Sequence, residues 1–181
     1  MGRALAEAAL ALGHEVIVVS GPVEVVYPID AAVHSVVSTE EMLDVCRAHF
    51  PYCDGLIGAA APCDYRPVRV EPHKIAKTGD PLALHLIETE DVVATLGAEK
   101  THQWLVGFAL ETEDHRLRAL AKLEKKSCDL MVSNGTEAMN SLDNNVEIID
   151  PHGNVVAAFT GPKEHVARGI LSIIEQRLIG K

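Results

Sequence analysis

The sequence lacks any apolar run of about 18 residues, the length that a membrane-spanning helix requires. It also lacks a positively charged amino terminus followed by a cleavable apolar segment, the pattern of a secretory signal. These two absences predict a cytoplasmic protein. With 181 residues, 48% of them hydrophobic, the chain is expected to fold as a single domain, residues 1–181, around one core.

Basic residues are few: 16 Lys and Arg stand against 26 Asp and Glu, for a formal net charge of −10. This balance argues against a polynucleotide or an anionic membrane as partner. Residues 58–77, GAAAPCDYRPVRVEPHKIAK, are a local exception. Because salt screens charges beyond about 10 Å, a local group of cations can still bind a small anion. The stretch therefore predicts a phosphate site formed by Arg66, Arg69, Lys74 and Lys77.

No CxxC spacing occurs among the four cysteines, Cys46, Cys53, Cys63 and Cys128. In a chain without an export signal they are predicted to remain reduced thiols. Cys46, His49 and Cys53 lie close in sequence, but no fourth zinc ligand accompanies them. We therefore interpret these three residues as packed or surface side chains, and we predict no metal site from them.

Two common phosphate-binding motifs are also missing, the GxGxxG dinucleotide fingerprint and the GxxxxGK[ST] loop. The nine histidines show neither triad nor metal spacing, and His73 is interpreted as a surface residue. What the residues by themselves leave open is a phosphate or nucleotide pocket at the carboxyl edge of a sheet.

Helical and strand patterns alternate along the chain, which predicts an α/β fold: three layers, with a doubly wound and mainly parallel Rossmann-like sheet. Residues 15–20, EVIVVS, are typical of a strand buried on both faces. Further strands are predicted at 34–37, 54–61, 82–87, 104–109 and 129–133. Residues 146–149 and 155–159 flank a DPHGN turn and predict a carboxyl-terminal antiparallel hairpin.

The helices are predicted from apolar spacing and from residues that favour helix ends. The amino-terminal helix should end at Gly13, and Ser38 with Glu41 forms a capping-box pattern before the second. Thr89 and Thr112 are the expected caps of the third and fourth. The predicted helices cover residues 1–12, 39–49, 90–100, 113–126 and 163–178.

Several strings, in order along nearly the whole chain, resemble the bacterial phosphopantothenoylcysteine synthetase family. Each string is modest alone, and their order and spacing make the resemblance specific. The strings are MG before an Ala-rich helix, VIVVSGPV, GAAAPCDYRP, VEPHKIAK, ETEDVV, LVGFALET, the Lys-rich helix, and Asn134 followed by residues 143–145, DNN.

The resemblance implies a ligase of coenzyme A biosynthesis. Such an enzyme activates the carboxylate of 4′-phosphopantothenate with CTP and Mg²⁺, giving an acyl-cytidylate and pyrophosphate, and the amine of cysteine then displaces CMP. The resemblance also implies a homodimer and a flavin-dependent phosphopantothenoylcysteine decarboxylase partner, fused or separate. Sequence leaves open whether ATP replaces CTP.

On the nucleotide side, the resemblance places Gly58, Ala59 and Ala60 along the ligand, where small side chains let backbone amides approach it. It assigns Asp64 to a nucleotide contact and Phe108 to an aromatic against which a base packs. Structural explanations stay open for these residues: tight sheet packing for the small residues, a loop cap for Asp64, and core packing for Phe108.

On the phosphate side, the resemblance assigns Lys74 to the triphosphate as the catalytic lysine, and Lys77 stands where relatives often carry a further basic residue. It brings Lys122 and Lys126, one helical turn apart, towards the nucleotide. A solvated surface role is the alternative for each lysine. Residues 90–93, EDVV, depart from the family by lacking a Pro before the Asp, so their role near phosphate is less secure.

Asn134 and Asn145 are interpreted as sheet-edge hydrogen-bonding residues rather than substrate contacts. The family also has a first strand and a glycine-rich loop ahead of the position of Met1-Gly2. Without them we expect an exposed central sheet edge and a weakened second half-reaction. The alternatives are a nucleotide-binding or dimerising remnant without activity and, less favoured, an NAD(P)-dependent oxidoreductase.

Overall fold

The computed structural model describes residues 1–79, 81–111, 115–135 and 144–180. Five α-helices are described: α1 Gly2–Ala11, α2 Thr39–His49, α3 Val92–Glu99, α4 His115–Lys125 and α5 Lys163–Ile174. A 3₁₀ turn, Phe50–Tyr52, follows α2, and a π-helical turn, Glu175–Ile179, extends α5. The strands are β1 Ile17–Ser20, β2 Ala32–Ser35, β3 Gly55–Gly58, β4 Tyr65–Pro67, β5 Leu86–Glu88, β6 Trp104–Glu111, β7 Leu130–Gly135, β8 Asn144–Ile149 and β9 Val155–Gly161.

The main sheet has five strands in the order β3-β6-β7-β8-β9. The first three are parallel, because helices α3 and α4 return the chain to the same edge before each new strand. Strands β8 and β9 are antiparallel additions. Asp150 organises the turn between them by accepting hydrogen bonds from the amides of His152 and Asn154, at 3.0 and 2.9 Å. The predicted α/β class with a carboxyl-terminal antiparallel hairpin is confirmed.

The core lies on both faces of this sheet, since consecutive side chains of a strand point in opposite directions. Leu105 of β6 packs with α2, α3 and α4 on one face. Its neighbour Val106 packs with α1 and α5 on the other. Both residues have no exposed surface. The result is the three-layer arrangement that the sequence predicts.

Strands β1 and β2 form a separate parallel pair. Among the described strands, neither pairs with β3, so β1 and β3 each have one unpaired edge. The prediction that residues 15–20 are buried on both faces is wrong, because Ile17 is 41% exposed and only Ser20 of β1 is fully buried.

Several predicted boundaries move for identifiable reasons. The strand predicted at 54–61 ends at Gly58, where Ala59 turns to donate to the carbonyl of Ile57 at 3.1 Å. Asp91, not Thr89, caps α3 by accepting from the Ala94 amide. Ser38 caps α2 as predicted. The predicted cap Thr112 lies outside the described residues.

Candidate functional site

Gly58 and Ala59 lie at the carboxyl end of β3, the end at which open α/β sheets bind ligands. Gly58 is opposite Gly107 of β6. A Cβ atom at Gly58 would lie 2.6 Å from Cγ2 of Val93, so the first turn of α3 packs directly on this glycine. Ala60, the next residue of the small-residue stretch, is exposed. Tight packing thus accounts for Gly58, while Ala59 and Ala60 leave the carboxyl end uncrowded.

Phe108 follows Gly107 in β6 and is therefore adjacent to the end of β3. Its ring is partly buried and packs, with Ala59, into the core between the sheet and helices α1 and α5. Helix α3, which covers Gly58, packs on the other face of the sheet. A ligand that contacts both Phe108 and the start of α3 must therefore lie across the carboxyl end of the sheet.

The DYR segment is held at its base by backbone hydrogen bonds. The Thr89 amide donates to the Asp64 carbonyl at 3.0 Å. The hydroxyls of Thr89 and Thr39 donate to the Cys63 carbonyl, at 2.5 and 3.4 Å. These bonds use backbone oxygens, so the Asp64 carboxylate takes no part in them, and its residue is exposed. The Asp64 backbone is consequently bonded to Thr89, which is two residues before Asp91, the cap of α3.

Beyond this base, residues 60–79 and 81–88 are all exposed. The antiparallel pair β4 and β5 joins the two ends of this excursion. Lys74 and Lys77 lie in the connection between these strands and are exposed. The structure does not bring them to Gly58 or Phe108.

The predicted four-cation group is divided by local carboxylates. Arg66 forms an ion pair with Glu40 of α2, and Arg69 forms one with Glu71 at 3.0 Å. Arg66 thus fastens the excursion to the body of the protein rather than serving as a simple phosphate ligand. Neither ion pair involves Lys74 or Lys77, the other two members of the group.

Lys126 does reach the carboxyl end of the sheet. Its backbone lies against the last turn of α3, where a Cβ at Gly97 would be 2.0 Å from the Lys126 carbonyl oxygen. Its ammonium pairs with Asp91 at the first turn of that helix, at 3.1 Å. Lys122 lies one turn earlier and is half-buried. The two lysines thus lie one turn apart at the end of α4, Lys126 being the residue that follows the helix, and Lys126 is directed towards the start of α3.

The capping role of Asp91 was not predicted, because the expected cap was Thr89; only the segment 90–93 had been singled out as lying near phosphate. Burial raises the pKa of Asp91, but the Ala94 amide and the Lys126 ammonium outweigh that effect and bring it below its usual value. The carboxylate is therefore ionised at neutral pH. An Asp followed directly by the apolar run VVATL was the sequence signal for this cap.

The asparagines fall into two groups, one with a structural hydrogen bond and one with buried polar atoms that have no described partner. Oδ1 of Asn145 accepts from the Thr160 hydroxyl at 3.2 Å, across the β8–β9 ladder, so Asn145 makes a structural hydrogen bond as predicted, although its strand β8 is inside the sheet rather than at its edge. Oδ1 of Asn134 and Nδ2 of Asn144 are buried and have no hydrogen-bond partner within the described ranges. They lie near each other in register, since Asn134 is opposite Val146. These two groups are candidates for a ligand's polar atoms.

Within the described parts of the chain, no group of three or more His, Cys, Asp or Glu side chains is placed to hold a metal ion. Burial instead raises the pKa of the Cys46 and Cys128 thiols to about 11. The described helices include none that is long and apolar enough to cross a bilayer.

A sequence profile of the DNA/pantothenate metabolism flavoprotein C-terminal domain matches residues 1–178. The chain belongs to this family. Among solved structures, the C-terminal domain of the coenzyme A biosynthesis bifunctional protein CoaBC superposes with a TM-score of 0.81 at 34% identity, covering 99% of this chain and 83% of that one. The resemblance to phosphopantothenoylcysteine synthetases is thereby confirmed.

Curated relatives of this flavoprotein C-terminal domain are longer proteins. The CoaBC protein of Vibrio vulnificus (strain YJ016) is 38% identical over 160 residues, which are 84% of this chain and 40% of the relative. The CoaBC protein of Escherichia coli (strain K12) is 35% identical over 164 residues, 86% of this chain and 40% of the relative. The chain thus spans about 40% of these relatives. A Cab2 H337A mutant, solved in complex with phosphopantothenate-cysteine, shares the fold at TM-score 0.66 and 15% identity.

Proposed function

We propose that this chain is a ligase domain of coenzyme A biosynthesis that joins 4′-phosphopantothenate to cysteine at the expense of CTP. The observation that carries the proposal is the convergence of Gly58, Phe108 and Lys126 at the carboxyl end of two neighbouring parallel strands. Small residues, an aromatic ring and a cation are what a nucleotide needs there. The family membership directs this site to coenzyme A chemistry.

The nucleoside would occupy the β3 side of the site. Backbone groups of Ala59 and Ala60 can approach the ribose or base because their side chains are small. The Phe108 ring offers an apolar surface for the base. The exposed Asp64 carboxylate can accept hydrogen bonds from an amine or a hydroxyl.

In the first half-reaction, a carboxylate oxygen of phosphopantothenate attacks the α-phosphorus of CTP. The bond to the β-phosphate oxygen breaks and pyrophosphate leaves. Lys126 stabilises negative charge beside α3, and Lys74 stabilises the leaving pyrophosphate once the excursion lies over the carboxyl end of the sheet. Mg²⁺, carried on the phosphates, would supply additional charge neutralisation.

In the second half-reaction, the amine of cysteine attacks the acyl carbon of the acyl-cytidylate. The acyl–oxygen bond breaks, CMP leaves, and the amine loses a proton to give an amide. Catalysis in both steps would depend on positioning and charge rather than on a covalent enzyme intermediate.

The test measures pyrophosphate release from CTP in the presence of phosphopantothenate, before cysteine is added. Lys74→Ala is expected to lower the rate about 100-fold or more, the usual effect of removing one group that stabilises transition-state charge. Lys163→Ala, an exposed lysine at the start of α5, is the control and should leave the rate unchanged. Equal rates for the Lys74 variant and the wild type would contradict the assignment.

A catalytically impaired nucleotide-binding protein is the second candidate. It is favoured by the position of Lys74 in the exposed excursion, away from Gly58. In that case CTP binds, while neither pyrophosphate nor acyl-cytidylate is formed. Calorimetric binding with no turnover would select this candidate over the ligase.

We further propose that the chain forms a homodimer and works with a flavin-dependent phosphopantothenoylcysteine decarboxylase, fused or separate. The relatives are named as bifunctional proteins and are much longer than this chain, which supports the second part. The exposed apolar residues of the excursion support the first.

A further inference from the structure

Asp91 uses its two carboxylate oxygens for two different contacts. Oδ1 accepts a hydrogen bond from the Ala94 amide at 3.0 Å and so caps α3. Oδ2 pairs with Nζ of Lys126 at 3.1 Å. The Lys126 side chain is only 22% exposed and the Asp91 side chain 40%. This ion pair is therefore partly shielded from water, and it joins the start of α3 to the end of α4.

The course of the Lys126 side chain shows where the ion pair with Asp91 places the ammonium group. The Lys126 backbone contacts Gly97, six residues after Asp91, and six helical residues rise about 9 Å. The lysine stem must therefore run along α3 to reach Asp91. Its ammonium is delivered to the turn that contains Val93, which packs on Gly58.

We propose that Asp91 is a positioning residue that holds the Lys126 ammonium at the carboxyl end of β3 before the nucleotide arrives. This inference rests on the proposed function of the same site. A lysine stem has many rotamers, and ordering it in advance lowers the entropy that ligand binding would otherwise lose. On phosphate binding, Lys126 exchanges part of its contact with Asp91 for a phosphate oxygen.

The sign of the effect separates positioning from simple electrostatics. A carboxylate close to a triphosphate repels it, so removing the charge of Asp91 should tighten CTP binding if charge alone matters. If Asp91 instead holds Lys126 in place, removing it should weaken binding. The two explanations therefore predict opposite changes.

The experiment is calorimetric titration of the 181-residue chain with CTP and with CMP. The variants are Asp91→Asn, Lys126→Met and the double variant. Asn remains a good helix cap, so Asp91→Asn preserves the start of α3 while losing the ion pair. Glu99→Gln is the matched control. It removes the ion pair between Arg47 and Glu99, 2.8 Å apart at the other end of α3, and it changes the net charge by the same amount as Asp91→Asn.

We expect Asp91→Asn to weaken CTP binding about fivefold to tenfold, the size of one misplaced charge-assisted hydrogen bond. Lys126→Met should weaken it at least as much, and the double variant no more than Lys126→Met, because both substitutions remove one interaction. CMP, which lacks two phosphates, should be affected less. Glu99→Gln should bind CTP like the wild type.

Unchanged or tighter CTP binding by Asp91→Asn overturns the positioning role, and so does strict additivity in the double variant. An equal loss for CMP and CTP also overturns it. If the wild-type chain does not bind CTP at all, the proposed function fails and the inference fails with it. Binding by the wild type with no effect of Asp91→Asn removes the positioning role alone.

Discussion

Ser127 ends α4 in a conformation that suits glycine better than serine. Its φ of 52° lies in the left-handed region. The Cys128 amide donates to the Leu123 carbonyl at 2.9 Å and the Ser127 amide to the Glu124 carbonyl at 3.1 Å, the bond pattern of a Schellman motif. A side chain at this position is therefore held at an energetic cost.

Ser127→Gly should raise the free energy of unfolding by about 0.5–1 kcal/mol, because glycine occupies this region without Cβ strain. Ser172→Gly, within α5, is the control and should lower it by about 0.5 kcal/mol through lost helix propensity. Urea denaturation of both variants measures the two values. A loss of stability in Ser127→Gly would show that the serine side chain is needed there.

The individual cysteines also differ in their expected reactivity. Burial raises the pKa of Cys46 and Cys128 to about 11, so at pH 8 very little of either thiol is thiolate, the nucleophilic form. Cys63 is exposed. Native labelling with a disulfide reagent should therefore show one fast thiol, which Cys63→Ser removes. Cys46 and Cys128 should react about 100-fold more slowly until the protein unfolds, and rapid labelling of either would contradict their burial.

Among the elements, α3 depends on a glycine at its contact with α4. A Cβ at Gly97 would lie 2.0 Å from the Lys126 carbonyl oxygen, a backbone atom that cannot move alone. Gly97→Ala should thus destabilise the fold by about 1–3 kcal/mol despite alanine's better helix propensity. It should also displace Lys126 and weaken CTP binding.

The matched control for Gly97→Ala is Gly2→Ala, at the start of α1. A Cβ at Gly2 meets Tyr27 at an ordinary 3.5 Å, so this change should be neutral or slightly stabilising. Thermal unfolding compares the two variants. Equal melting temperatures would mean that α3 and α4 separate without loss of stability.

The elements also show what sequence can predict. The core elements followed their patterns: Leu105 and Val106, in the strand predicted at 104–109, and Ile170, in the helix predicted at 163–178, are all fully buried. The ends of the helices did not follow their patterns. Thr89 was the predicted cap of α3, but its hydroxyl donates a hydrogen bond to the Cys63 carbonyl, 26 residues away. Long-range hydrogen bonds of this kind leave no local pattern.

The candidate site was predictable to a similar degree. Gly58 and Phe108 came together because β3 and β6 are neighbouring strands, an ordinary consequence of α/β topology. The roles of Arg66 and Lys126 were not visible in the same way, since their partners Glu40 and Asp91 come from other elements. Ion pairing across elements decides which cations remain available to a ligand.

At the scale of the whole molecule, the excursion of residues 60–79 and 81–88 is exposed throughout and is tied to the body of the protein by Arg66 and by hydrogen bonds at its base. An isolated two-stranded ribbon such as β4–β5 is marginally stable in water. Its exposed large apolar residues exceed what one small surface loop normally carries. They are Tyr65, Val68, Val70, Ile75, Leu82, Leu84, Leu86 and Ile87.

We therefore expect the proposed homodimer to use this excursion. Leu84→Asp with Leu86→Asp should convert a dimer to a monomer, because each places a charge in the apolar contact. Val26→Asp is the control and should leave the dimer intact, because Val26 is an apolar residue outside the excursion that is even more exposed, at 78%. Light scattering across a concentration series gives the masses. A monomeric wild type, or a dimer that survives the double substitution, would contradict this interface.

No described strand pairing joins β1 to β3, and this affects how easily the β1–β2 pair can unfold locally. The β1–β2 pair is joined to the five-stranded sheet by side-chain packing, including Val19 against the core, and by no described strand pairing. Such a unit can open without breaking the main ladder. Amide protons of Val18 and Val19 should exchange with deuterium well before those of Val106 and Val132, so the protein should unfold in two cooperative stages.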